Sequence, residues 1–436
     1  MILKEQEPDN APVTTGSLLR RQAGRLKRSR DLQRNGILAL ASTAMAAIVG
    51  LIAAPLLARF LPVEEYGALS YVGSVVALVM AISVPGVANA ISFSVARGYE
   101  GAFRIGSKYR LRRYLLTSLL FVPLIGWYLF VKPNPQLAVL LLVAGLAFPW
   151  VYGLDTSEQF LVGRSDFGAL FWRRLLVTVL VPFSGVAAAW LFASGLAVLS
   201  VRSIVTAILT FALYFLLLRT VRNEDLDPEF WPKANAFNRV SVLGAVSGVT
   251  DNLVLGATGD LAALAGYSLA LTVTSPLDVL SKSMIKLVFG RVQRPLDAAD
   301  RRLLTVLSLL VILVGVPVIL AAWFLVAPFF VRLFPKYPET IRYIPVLLLV
   351  FVFGLANSVP LSYGLFHRYR IWLSYNTWRN ASRIPITAGA VLAAGVWGAL
   401  GVRLAYAVLD YVVFVVAMWR DNKSLPDPTT TPTANG

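Results

Sequence analysis

The sequence contains no cysteine and a single histidine, His367, among its 436 residues. Without cysteine the chain forms no disulfide bond and offers no thiolate ligand to a metal ion. One histidine leaves little room for zinc chemistry, or for catalysis by a serine–histidine or cysteine–histidine pair. We therefore predict no metal, no cofactor and no catalytic residue.

Charged residues are also scarce. They make up 14% of the chain and hydrophobic residues 57%, whereas soluble proteins carry about 25% charged residues. Apolar runs of about 20 residues, each long enough to cross a bilayer, recur between Gly36 and Trp419. These runs predict an all-α polytopic membrane protein with twelve spans: 36–60, 67–96, 114–131, 137–160, 171–192, 196–218, 239–257, 262–284, 303–325, 340–363, 372–394 and 397–419.

The positions of the basic residues predict the orientation. With both termini in the cytoplasm, 31 of the 40 lysines and arginines fall on the inner side and four in outer loops. This asymmetry is the positive-inside pattern, which indicates a multi-pass protein of the cytoplasmic (inner) membrane. The net charge of +17 is then explained by topology and by attraction to anionic lipids, so we predict no nucleic-acid partner.

The chain divides evenly around its longest inner loop. We predict a basic cytoplasmic segment (1–35), a six-helix bundle (36–218), a cytoplasmic linker (219–238), a second six-helix bundle (239–419) and a disordered cytoplasmic tail (420–436). Both bundles begin on the cytoplasmic side. Any internal repeat is therefore parallel, about an axis along the membrane normal.

Span eleven carries a polar stripe. Asn376, Arg379, Asn380 and Arg383 follow one another at helical spacing and share one face. Arginine inside a span needs a partner or water, so one interpretation is that the stripe lines an aqueous cavity. In the other interpretation the span begins near Ile384, which leaves both arginines among the headgroups.

Other polar residues occur inside or at the ends of spans: Arg59, Asn89, Arg202, Asp251, Arg403 and Asp410. Each charged residue that lies within a span either lines the cavity or forms an ion pair with a residue of a neighbouring helix. Asp251 and Asp410 are the candidates for coupling to a proton or a sodium ion. Arginines outnumber these carboxylates, which favours an anionic cargo and phosphate in particular.

Several short motifs follow one another along the chain. They are Pro55-x-Leu57-Ala58-Arg59-x-Leu61, then Glu64-Glu65-Tyr66-Gly67, Phe160-x-x-Gly163-Arg164, Thr250-Asp251-x-x-x-Leu255-Gly256, Gly266-Tyr267-Ser268 and Phe334-Pro335-x-Tyr337. In this order they resemble the Wzx-type oligosaccharide flippases, which share a superfamily with MATE transporters and lipid II flippases. The resemblance covers nearly the whole chain, although twelve spans differ from the fourteen of lipid II flippases.

The resemblance implies two six-helix bundles around a central cavity. It also implies a polyprenyl-diphosphate-linked glycan as cargo, flipped from the inner to the outer leaflet for O-antigen, capsule or exopolysaccharide synthesis. Glycosyltransferases and a polysaccharide polymerase would then be partners. The candidate residues for binding the diphosphate or glycan are Arg379, Arg383, Asn376, Asn380, Arg59, Arg202, Arg403 and Asn89.

Three alternatives stay open at this stage. Arg59 either contacts the anionic cargo or pairs with Glu64 or Glu65 at a closed outer gate. A MATE-type exporter of drugs or cations is an alternative function, but it needs carboxylates for its cargo. A polymerase or ligase of glycan assembly is another, but such enzymes usually need a larger external loop than this sequence has.

Overall fold

The computed structural model describes residues 38, 41–42, 44–292, 298–358, 360–362 and 369–419. The predicted basic segment 1–35 and tail 420–436 lie outside the described residues. The main helices, labelled in chain order, are α1 (Ala44–Phe60), α2 (Val63–Ile82), α3 (Gly86–Ala96), α4 (Gly101–Thr117), α5 (Phe121–Gly126), α6 (Pro135–Tyr152), α7 (Ser157–Gly163), α8 (Phe167–Phe192), α9 (Gly195–Leu218), α10 (Phe230–Thr258), α11 (Leu261–Val292), α12 (Ala298–Leu333), α13 (Pro338–Ala356) and α14 (Tyr369–Trp419).

The described part of the chain confirms the predicted helical, membrane-spanning architecture. Nine of its helical segments are long and apolar enough to cross a membrane, and three shorter apolar helices accompany them. The segment 372–419 contains two predicted spans, because α14 breaks at Ala394 and at Gly395, whose φ is +57°. We call the parts before and after this break the first and second arms of α14.

Local sequence explains where helices begin and break. The side-chain oxygen of Asn134 accepts a hydrogen bond from the Leu137 amide at 3.0 Å and caps α6, which begins with a proline. Asp166 caps α8 in the same way through the Ala169 amide. Predicted span 67–96 is two helices, because Val84 has a φ of +53° and Pro85 follows it.

The helices pack in two groups that meet along α2. In the first group α9 packs on α6 and α8, and in the second group α13 packs on α11, α12 and α14. Helix α2 of the first group contacts α10 and α11 of the second. Helix α10 begins at Phe230, before the predicted start at residue 239, and its first turns contact α3.

Connections between helices gather on two faces of the molecule. The connections that we call the basic face comprise 97–100, 153–156, 164–166 and 219–229. The buried carboxylate of Glu100 holds three of them together, because it binds Arg164 and the amide of Arg222. The hydrogen bonds from Arg164 lower the pKa of Glu100 below its usual value.

The connections 61–62, 132–134, 193–194, 259–260, 334–337 and 394–395 form what we call the opposite face. Here the two groups of helices touch directly. A Cβ atom on Gly67 of α2 would lie 1.9 Å from the carbonyl oxygen of Leu261 of α11, so only glycine fits this backbone contact. The two groups are therefore in backbone contact on this side.

Candidate functional site

A cavity of about 520 Å³ lies between the two groups of helices on the side of the basic face. It is lined by Ser42, Ala46, Ala47, Gly50, Asp155, Glu158, Arg173, Arg174, Val177, Thr178, Ser275 and Pro276. These residues belong to α1 and its N-terminal side, the α6–α7 region, α8 and α11. The cavity therefore opens where α1 and α8 of the first group face α11 of the second.

An ion-pair network lines this cavity. Arg173 lies 2.5 Å from a carboxylate oxygen of Asp155 and 2.6 Å from one of Glu158. Arg174 lies 2.7 Å from Glu158 and donates to the Ser42 hydroxyl at 3.1 Å. Sequence analysis missed these residues because it counted both arginines only as topological charges. The sequence feature that could have revealed the network is the presence of two acidic residues, Asp155 and Glu158, near the predicted inner loop that contains both arginines.

The first expected coupling residue, Asp251, is held by an arginine and a tyrosine. Arg403 Nε lies 2.7 Å and its Nη2 2.5 Å from Asp251 Oδ2. The Tyr267 hydroxyl donates to the same oxygen at 2.5 Å. Asp251 is 2% exposed. This buried carboxylate therefore serves as the counter-ion of Arg403 in this conformation.

The second expected coupling residue, Asp410, repeats this arrangement. Arg379 Nε lies 2.7 Å from Asp410 Oδ1, and the Tyr375 hydroxyl donates to the same oxygen at 2.7 Å. The Nε–H bond of Arg379 does not point along the line to Asp410, so the contact is an ion pair and not an aligned hydrogen bond. In this conformation Arg403 and both aspartates therefore form pairs between helices, one of the two arrangements that the sequence left open for them, and Arg379 is paired as well.

Arg383 differs from its two arginine neighbours. Its electrostatic neighbours include Arg403, Arg379 and Asp251, but it forms no ion pair among the described residues. Its Nε atom is buried and has no hydrogen-bond partner in that part of the chain. The hydroxyl groups of Ser247 and Thr387 are also buried and unpartnered there. Arg383 is thus a guanidinium inside a helix that forms no ion pair with a carboxylate of the described residues.

Arg202 is the second such guanidinium. Its side chain is exposed but packs against Gly185 of α8 and interacts electrostatically with Tyr66 and Tyr152. Tyr66 is buried where the two groups of helices meet. Arg202 forms no ion pair with any carboxylate in the described ranges. The stem of Arg202 therefore packs against α8, while the side chain as a whole stays exposed.

The remaining predicted site residues are dispersed. Arg59 is exposed on the opposite face and, within the described chain, pairs with neither glutamate. Glu65 accepts a hydrogen bond from the Gly195 amide instead. Asn89 is exposed at α3.

The polar stripe of span eleven faces other helices. Asn376 donates to the Trp372 carbonyl, and Asn380 accepts a weak hydrogen bond from Arg379. Asn380 lies beside Gly244 of α10 and Arg379 pairs with Asp410 of the second arm of α14, so the stripe contacts neighbouring helices, and none of its residues lines the 520 Å³ cavity. No group of three or more potential metal-ligating side chains occurs among the residues that were described.

The opposite face is closed by aromatic residues. Tyr66 and Tyr337 form an edge-to-face pair with ring centroids 6.0 Å apart. The Tyr337 hydroxyl donates to the Ala58 carbonyl at 3.3 Å. Leu61, Phe334 and Leu269 complete this buried cluster, which joins α1 and α2 to α11 and the α12–α13 turn. This cluster therefore packs the two groups of helices together on the opposite face.

No known family model matches this sequence, and curated proteins give no significant match to it. Solved structures do match. The lipid II flippase MurJ in an inward closed conformation superposes with a TM-score of 0.62 at 15% identity, over 89% of this chain and 88% of that one. An inward-facing multidrug resistance MATE family transporter of the MOP superfamily gives 0.62 at 14% identity, over 88% and 99%.

The eukaryotic MATE transporter AtDTX14 gives a TM-score of 0.57 at 12% identity, over 90% of this chain and 96% of that one. These likenesses confirm the predicted fold class, a polytopic helical membrane protein with the fold of the MATE and MurJ proteins. At such identities they establish the fold alone.

Proposed function

We propose that this protein is a flippase that moves a polyprenyl-diphosphate-linked oligosaccharide from the inner to the outer leaflet of the cytoplasmic membrane. The basic face and both termini are cytoplasmic, as the positive-inside pattern indicates. The product serves the synthesis of a surface polysaccharide such as O-antigen, capsule or exopolysaccharide. The protein is a transporter and performs no covalent chemistry.

The observation that carries this proposal is the cavity that lies where α1 and α8 of the first group of helices face α11 of the second. The space of about 520 Å³ lies near the basic face, whereas Tyr66 and Tyr337 close the opposite face. This arrangement is one end state of a transporter whose halves rock around a central site. The fold shared with a lipid II flippase and with MATE transporters supports the same cycle.

The distribution of charge favours an anionic cargo over a cationic one. Arg202 and Arg383 have no carboxylate partner among the described residues. Asp251 and Asp410, in contrast, are each bound by an arginine. A drug cation, proton or sodium ion would reach either carboxylate only after that arginine had moved away. A diphosphate, in contrast, matches the two free guanidinium groups.

In the proposed cycle the glycan and diphosphate enter the cavity from the cytoplasmic leaflet while the polyprenyl tail stays in the bilayer. Neither Arg202 nor Arg383 lines the cavity in this conformation, so in the proposed cycle each reaches the diphosphate only as the halves move, Arg202 from the first group of helices and Arg383 from the second. Rocking of the halves then closes the basic face and opens the opposite face. Anionic lipids bind the basic face, and glycosyltransferases and a polymerase are the expected partners.

The test measures translocation with purified protein in liposomes. A fluorescent short-chain polyprenyl-diphosphate oligosaccharide is placed in both leaflets, and a membrane-impermeant quencher reports how fast the protected pool reaches the outside. We expect Arg202→Ala and Arg383→Ala each to slow this rate by roughly tenfold or more, because a charge-assisted contact is lost. The matched control is Arg112→Ala, which removes an exposed arginine on α4 outside the site.

Two outcomes contradict the proposal. One is an equal loss of rate in Arg112→Ala, because the effect would then not depend on the position of the charge. The other is the absence of glycolipid translocation by wild-type protein that exports cationic dyes in the same liposomes. That second result would favour the MATE-type exporter.

A further inference from the structure

Two lysines bridge the two groups of helices on the opposite face. Lys132, which follows the helical turn ending at Val131, donates to the carbonyl oxygen of Ala257 at 2.7 Å. Lys336, in the turn between α12 and α13, donates to the carbonyl oxygen of Arg59 at 3.0 Å. Its ammonium also lies 3.5 Å from the carbonyl of Leu61.

Both lysines bind the C-terminal end of a helix. Ala257 lies next to the last residue of α10, and Arg59 lies next to the last residue of α1. The last carbonyls of a helix have no partner within the helix and carry the negative end of its dipole. A lysine at that position is therefore favourable.

The two contacts are reciprocal. Lys132 follows the third predicted span and caps the end of the seventh, whereas Lys336 follows the ninth and caps the end of the first. In a parallel repeat of six spans, span three corresponds to nine and span one to seven. Each half thus reaches across to cap the first helix of the other half, as a two-fold axis along the membrane normal requires.

The sequence around the lysines supports this correspondence. Lys132 lies three residues before Pro135, which begins α6, and Lys336 lies two residues before Pro338, which begins α13. In both halves, therefore, a lysine lies shortly before the proline that starts the helix of the fourth predicted span of that half. A contact that arose by chance would have no reason to recur at equivalent places.

We propose that Lys132 and Lys336 are paired latches that hold the opposite face closed, and that both contacts break before this face opens. The inference concerns the shape of the protein, not its cargo. Only its consequence for transport rests on the proposed alternating-access function.

The experiment uses spin labels, which the cysteine-free chain accepts without background. Phe192→Cys on α8 and Val331→Cys on α12 place one exposed label on each group of helices near the opposite face. Distance distributions are measured without cargo, in lipid nanodiscs. When Lys132→Met and Lys336→Met are added, the ratio of long to short label distances should rise by a factor of about three to about thirty, because two favourable helix-end contacts are lost.

Lys108→Met is the matched control, because it removes an exposed lysine from α4 near the basic face. Arginine at both latch positions should keep the short distances, and each single methionine variant should give part of the shift. An unchanged distribution in the double and single methionine variants overturns the proposal, and so does an equal shift in Lys108→Met. Because no cargo is present, a failed flippase assay leaves this result unaffected.

Discussion

At the scale of single residues, the arginines inside the helices fall into two kinds. Arg379 and Arg403 each have an aspartate within 2.7 Å, and a tyrosine donates to that same aspartate. Arg202 and Arg383 have no carboxylate partner in the described part of the chain. A nearby carboxylate balances the charge of a paired arginine, whereas Arg202 and Arg383 are the two arginines that we propose bind the anionic cargo. Chemically identical side chains thus differ in role because of their neighbours.

The pairing of Asp251 can be tested by stability. Asp251→Asn leaves Arg403 charged and unpaired between helices, so we expect a loss of about 3–5 kcal/mol in the free energy of unfolding. Replacing both residues, with Asp251→Leu and Arg403→Met, should recover most of that loss, because no unpaired charge remains. Thermal unfolding in detergent, followed by tryptophan fluorescence, measures the change.

Asp225→Asn is the control, since Asp225 is exposed in the linker and forms no ion pair among the described residues. If the Asp251→Asn variant is as stable as the wild type, the pairing of Asp251 with Arg403 does not stabilise the fold. If that variant also lost a dependence of transport on protons or sodium, Asp251 would instead be a coupling residue.

At the scale of helices, closure of the opposite face depends on how near two backbones come. Gly67, in the first turns of α2, leaves room for the carbonyl of Leu261 at the start of α11. Gly256 of α10 gives room to the ring of Tyr71 in the same region. Small residues allow helices to approach closely in membranes, and here they permit the contact that seals one side of the cavity.

Gly67→Ala should hinder this closure. Its Cβ atom would lie 1.9 Å from the Leu261 carbonyl oxygen, so α2 and α11 must separate, at about 1–3 kcal/mol. We expect longer distances between the labels at Phe192→Cys and Val331→Cys, together with a lower unfolding midpoint. Gly73→Ala on the same helix is the control, because nothing lies within 4 Å of its new methyl group. If both variants behave alike, the close contact does not control closure.

At the scale of the whole molecule, the 520 Å³ cavity lies on the side of the basic face, and a second space of about 450 Å³ lies between α2, α5, α10 and α14. The basic face carries the ion-pair network of Arg173 and Arg174, and the opposite face carries the aromatic cluster and the lysine contacts. The two groups of helices are in backbone contact on the opposite face, at Gly67 and Leu261, and α3 also packs on the first turns of α10 near the basic face.

The one-sided access can be measured with a single cysteine. Thr178→Cys places a thiol on the cavity wall in a chain that has no other cysteine. A membrane-impermeant maleimide should label it from the cytoplasmic side, in inside-out vesicles, at least about tenfold faster than from the outer side, because the aromatic cluster blocks that path. Equal labelling from both sides would contradict a closed opposite face.

The sequence by itself determined that the chain is a bundle of membrane-spanning helices, and it predicts the side on which each loop lies. Backbone groups in lipid must be satisfied within their own helix, so apolar length predicts the spans without reference to contacts. Basic residues likewise report the side of a loop locally. The polar stripe of span eleven was also visible, because helical spacing alone puts its residues on one face.

Only the tertiary structure decided which charges meet. Asp251 and Arg403 are separated by 152 positions, and Lys336 is separated by 277 positions from Arg59, whose carbonyl oxygen it contacts. Spacing along the chain says nothing about which helices become neighbours, so the sequence left pairing and cavity lining as equal alternatives. The cavity beside Arg173 and Arg174 was missed for the same reason, since its walls come from α1, α8 and α11. Charges on separate helices acquire a role only when packing sets the distance between them.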